Sequence, residues 1–169
     1  MKALYNAIVA QIQAQVPTVL FVGMFNDQFN QTEDGEIYEI PYPFVLIEFT
    51  DDQEIHQLGG GYQLYDPVTV RLHIGHVQLM SANQEENLLV FDLKDQIFQA
   101  MQKFEPTGAV AFVRTSETRD YQHTNIYHFI QEYKTNYIEA LMAEPINPTS
   151  ATIIDTVLPI TVGGGLSIQ

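Results

Sequence analysis

Hydrophobic positions in residues 2–16 return every three or four places, as Leu4, Tyr5, Ile8, Val9, Ile12 and Val16. That rhythm predicts an amphipathic helix with Gln11 and Gln15 on its wet side, ended by Pro17. The stretch 18–25, TVLFVGMF, is rich in β-formers and reads as a short strand. Residues 26–43 are polar, acidic and turn-rich, and read as a long loop. The apolar run FVLIEF at 44–49 has the character of an interior strand. Residues 50–67, with a glycine triplet at 59–61, read as a second loop. Strict alternation resumes at 68–77, where Val68, Val70, Leu72 and Ile74 point one way and Thr69, Arg71 and His73 the other.

The strongest helical pattern covers 81–104. Ser81 or Asn83 can cap it, Glu85 and Glu86 suit its first turn, and Leu89, Leu93, Ile97, Ala100, Met101 and Phe104 form its apolar stripe. Pro106 and Gly108 end it. A strand at 109–117 and a longer one at 125–138 then form an expected antiparallel hairpin. On the second strand Tyr127, Phe129, Tyr133 and Tyr137 share a face with Gln131 and Thr135, while Ile126, His128, Ile130, Glu132, Lys134 and Ile138 share the other. Both faces are mixed, so each is expected to touch protein along part of its length. The four aromatics are candidates for core or subunit-interface packing.

Residues 143–169 contain no Lys or Arg, and Pro145, Pro148 and Pro159 forbid a long helix. Ile153, Ile154, Val157, Leu158, Ile160 and Val162 are too many apolar groups for a solvated tail. The segment reads as an extended arm that packs on another subunit, the competing reading being that it completes its own sheet. The whole predicts an α+β domain over 1–142: a mainly antiparallel sheet with an N-terminal helix and a long central helix on one face, followed by the arm.

Composition narrows the function. Hydrophobic residues make up 46% of the 169 and charged ones 17%, which places the chain among folded proteins. Cysteine is absent, so disulfides, thiolate metal sites and cysteine nucleophiles are excluded. The formal charge of −14, with only 7 Lys and Arg, leaves too few cations for a broad phosphate-binding surface. Non-specific DNA affinity is therefore expected to be weak. No stretch has the roughly 18 uninterrupted apolar residues of a membrane span, and no signal peptide is apparent, so a cytoplasm-like compartment is expected.

Candidate chemistry is sparse. His73 and His76 stand at odd spacing on a strand, and His123 and His128 have the same difficulty, so neither pair converges on a metal. The acidic runs EDGE (33–36) and TDDQE (50–54) lack the spacing of a calcium loop. The triplets GGGYQL (59–64) and GGGLS (163–167) lack the lysine of a phosphate cradle and read as turns or hinges. No nucleophile elbow or zinc-protease motif occurs. No catalytic residue, cofactor or metal is expected.

The order of elements resembles the tail terminator (tail-completion, head–tail joining) proteins of long-tailed bacteriophages. The resemblance rests on the helix MKALYNAIVAQIQAQV, the strand PYPFVLIEF, the strand VTVRLHIGHV, the helix NQEENLLVFDLKDQIFQAM and the final hairpin AVAFVRTSETRDYQHTNIYHFIQEYKTNY, and covers about residues 1–138. It implies a non-enzymatic virion protein, assembled in the host cytoplasm, that forms a hexameric ring at the head-proximal end of the tail tube. Such a ring caps tube growth, contacts the tail tube protein and the head-side connector or stopper, and lets DNA through its lumen. A different head–tail connector component (stopper or adaptor), a small-ligand module using the Gly59–Gly61 loop and a cation-dependent enzyme using the acidic loops are the alternatives.

Overall fold

A computed structural model describes residues 1–26, 40–50, 53–77, 84–121 and 126–140. The arm read at 143–169, with its six apolar interface candidates, and most of the loop read at 26–43 lie outside the described residues. Among these residues two helices, α1 (Lys2–Gln15) and α2 (Gln84–Met101), accompany six strands. The strands are β1 (Phe21–Met24), β2 (Phe44–Phe49), β3 (Glu54–Gly59), β4 (Tyr62–Val77), β5 (Val113–Asp120) and β6 (Ile126–Ala140).

The expected α+β domain organised by a long central helix is corrected by this architecture. Among the described residues the fold is mostly sheet, about 50% strand against 25% helix. The reason lies in residues 54–66, read from sequence as loop. Gly59, Gly60 and Gly61 all take positive φ, at 75°, 61° and 81°. Glycine reaches that region without steric penalty, so the triplet reverses the chain in a tight hairpin. The segment before it becomes β3, and the segment after it extends β4 to 16 residues. β6 is almost as long, and helices then occupy only the space left on one side. Within the segment 81–104 the described helix is Gln84–Met101, ended before Phe104.

The sheet order is β1-β2-β4-β6-β5, with β3 pairing β4 beyond the end of β2. β1 runs parallel to β2, and the other pairs are antiparallel. The central ladder joins β4 to β6 from Tyr62↔Ala140 to Val77↔Ile126, shifting register between Tyr65 and Val68. Pro67 falls inside that shift; without an N–H it cannot continue a regular ladder.

Alternation divides the sheet into two chemically different faces. Val45, Ile47, Val68, Val70, Leu72, Ile74, Phe129, Tyr133 and Tyr137 face the helices. There they meet Leu4, Ile8 and Ile12 of α1 and Val90, Leu93, Ile97 and Met101 of α2 in one core. Leu89, placed on the stripe by periodicity, is exposed, while Gln11, expected on the wet side, donates to the Ala100 carbonyl at 2.8 Å. The opposite face buries Phe44 and Leu46 along with His73 and His128. Gly75 makes room for the Phe44 ring: a Cβ there would lie 2.0 Å from the ring's Cζ.

Each face can be tested by one substitution. Ile97→Ala should lower stability by about 2–5 kcal/mol through the cavity it leaves. Gly75→Ala should lower it by about 1–3 kcal/mol through overpacking against Phe44. Urea unfolding midpoints report both, and a midpoint unchanged from the native chain in either variant would show that its face is not packed as described.

Candidate functional site

The densest grouping of chemically capable side chains lies on the sheet face away from the helices. Neighbouring strands β2, β4, β6 and β5 each contribute one member. His73 Nε2 lies 3.1 Å from Glu48 Oε2, His73 Nδ1 lies 3.0 Å from His128 Nε2, and His128 Nδ1 lies 3.1 Å from Asp120 Oδ2. The result is a carboxylate–imidazole–imidazole–carboxylate chain across four strands. Both imidazoles are buried, and the terminal carboxylates are partly exposed, at 29% and 22%. The Phe25 ring stacks on His73 with centroids 3.8 Å apart and planes within 3°. Arg71 sits beside the chain, its Nε 3.1 Å from Glu132 and its Nη1 3.7 Å from Glu48. Burial pushes His73 below the usual imidazole range, against the hydrogen bond and charge of Glu48.

The sequence spacing of the histidines concealed this pair. His73 and His76 do separate to opposite faces, as alternation requires. The partner of His73 comes instead from β6, where the register sets Gly75 opposite His128 and His73 opposite Ile130. His73 and His128 therefore meet diagonally on one face.

A second polar network occupies the helix face. Glu117 accepts from Lys94, from Arg114 Nη1 at 3.0 Å and from Gln131 Nε2 at 2.9 Å. Gln131 also donates to the Lys94 carbonyl and accepts from the Tyr133 hydroxyl at 2.7 Å. Thr135 donates to the Val110 carbonyl. Gln131 and Thr135, which interrupt the aromatic face in sequence, are thus buried but paired, which removes most of the cost of enclosing them. Burial opposes ionisation of Glu117, but hydrogen bonds from Lys94 and Gln131, with the charges of Lys94 and Arg114, outweigh it and hold the carboxyl below its usual range.

The aromatic interface candidates separate by depth. Phe129, Tyr133 and Tyr137 are buried in the protein's own core, the first of the two placements expected for this face. Their strand face is the one the helices cover. Tyr127 is half-buried at the margin, with the Arg119 guanidinium 4.7 Å from its ring centre. Arg119 also lies over Tyr121 and Phe129, and Phe129 receives Lys94 from the other direction at 4.9 Å. These rings hold the protein's own cations, so they are not a free platform for stacking bases.

Among the described residues no group of three or more ligating side chains is placed to hold a metal. A cleft of about 240 Å³ between α2 and the ends of β2 and β4 is lined by Pro43, His76, Leu89 and Asp92. That is small beside the roughly 300–1,000 Å³ of ordinary ligand pockets. The glycine turn, the other proposed ligand site, projects into solvent on an exposed hairpin. No helix among the described residues is long and apolar enough to cross a membrane. No protein-family model matches the chain, and no curated protein sequence matches it.

The Glu117 network predicts a signed pH effect. Its carboxyl has a depressed folded value, so its contribution is present above the ordinary value of 4.5 and is lost as pH falls through the depressed one. Glu117→Gln should therefore flatten the acid limb of the stability profile while leaving its alkaline limb in place. Urea midpoints across the acid range check this; parallel acid limbs in the two proteins would exclude the carboxylate as a contributor.

Proposed function

We propose that the chain is a structural subunit of a long-tailed phage: a tail terminator that forms a ring at the head-proximal end of the tail tube. The observation that carries the reading is the character of the two outer strands. Along β1, Leu20, Phe21 and Met24 expose 65%, 39% and 50% of their surface. Beside and on β5, Val110 and Val113 expose 58% and 51%. The two outer strands lie at opposite ends of the strand order and differ in chemistry, β1 being apolar and β5 polar beyond Val113. A contact between unlike edges is heterologous, and repeated with closure it generates a ring. Element order like that of the tail terminators supports the same reading.

In this role the subunit caps tube growth, meets the tail tube protein on one side and the head connector on the other, and surrounds passing DNA. The acidic composition suits the last task, because a wall with few cations does not hold phosphates. Virion assembly in a host cytoplasm follows from that role.

Light scattering and negative-stain imaging of the full-length protein test it, starting at dilute conditions and raising concentration. Hexameric rings with a lumen wide enough for duplex DNA are expected, with Leu20→Asp or Val113→Asp giving folded subunits that no longer close. A monomer at every concentration that also fails to associate with tail tubes would overturn the proposal.

A further inference from the structure

We propose that Glu48, His73, His128 and Asp120 form a one-proton clamp across the sheet, holding on their imidazole nitrogens one proton more than two neutral rings carry. The inference comes from counting hydrogens along the chain. Its three links join four ring nitrogens and two carboxylate oxygens. Ionised carboxylates only accept, so Nε2 of His73 and Nδ1 of His128 must each bear a proton. The central link, Nδ1 of His73 to Nε2 of His128, needs one more. Two neutral imidazoles supply two protons, and the geometry uses three.

Removing the third proton leaves two lone pairs facing each other at 3.0 Å, or one lone pair facing a carboxylate. A fourth proton places two N–H groups nose to nose and two cationic rings with centroids 5.2 Å apart. Either change opens a link between strands. Burial also resists the fourth proton, since it already holds His73 below the usual imidazole range. Among the described residues, Arg71 on β4 and Glu132 on β6 stand beside the pair and pair with each other, and Arg71 also approaches Glu48. Phe25 covers His73 from the β1 side. The helices lie across the sheet, so α1 and α2 face the pair with no charged group among the described residues.

The clamp couples the sheet to pH in both directions. Above the ordinary histidine value of about 6.5 the unfolded chain has neutral rings while the folded one keeps a proton, so stability falls as pH rises through the folded value. Below about 6.5 the unfolded chain takes up two protons and the folded pair holds one, so stability falls as pH drops. This unit therefore contributes a maximum near the ordinary histidine value. Because the chain ties β2, β4, β6 and β5 together, the outer strand β5 tightens and loosens with it.

Long-range proton–nitrogen correlation spectra of the full-length, histidine-labelled protein test the count at about pH 7.5, roughly a unit above the ordinary histidine value. Three protonated nitrogens are expected across the His73 and His128 rings. Two neutral rings would overturn the proposal. The shape-conserving pair Glu48→Gln and Asp120→Asn should lose the third proton and flatten the maximum in the urea-midpoint profile. Retention of that proton in the double variant would equally overturn it, and if the variant does not fold the native spectrum decides alone.

Discussion

The pairing of β4 with β6 is the constraint on which the rest of the structure depends. Its register fixes which side chains share a face along more than a dozen positions of each strand. A slip of one residue would turn Val68, Val70, Leu72 and Ile74 out of the core and bring Arg71 and His73 into it. β2 then pairs with β4 on one side and β5 with β6 on the other, so both inherit that register. The helices follow, since their apolar stripes need the face that β4 and β6 present.

This ladder carries information on both surfaces. Toward the helices it supplies an apolar core with two enclosed polar residues, Gln131 and Thr135, each satisfied by a specific partner. Away from them it brings His73 and His128 within hydrogen-bond reach. A buried polar group is costly unless paired, so this face rewards one register as strongly as the apolar face does. Two independent penalties for slippage, one on each face, hold the sheet in a single register.

Much of this was legible wherever one periodicity governed a whole element. FVLIEF became β2 at its expected bounds, and the alternation at 68–77 named the correct inward residues. Leu93, Ile97, Ala100 and Met101 were identified as the buried side of α2. Reading failed at 54–66 because a glycine triplet signals a turn without revealing whether strands flank it, and the hairpin there shifts the fold toward sheet. It left Phe129, Tyr133 and Tyr137 open between core and interface, because an aromatic face looks the same whether its cover is the chain's own helix or a neighbour. The histidine chain was out of reach for another reason: a diagonal contact between β4 and β6 depends on register, which spacing within either strand does not encode.

If the β4–β6 ladder organises the subunit, its backbone should open only with global unfolding. Native-state hydrogen exchange tests this residue by residue. The slowest amides should lie in 68–76 and 127–135, with exchange free energies equal to that of global unfolding, while α1, α2 and the β3 hairpin open at lower cost. Slowest exchange in the helices, with the β4–β6 amides opening earlier, would contradict the account.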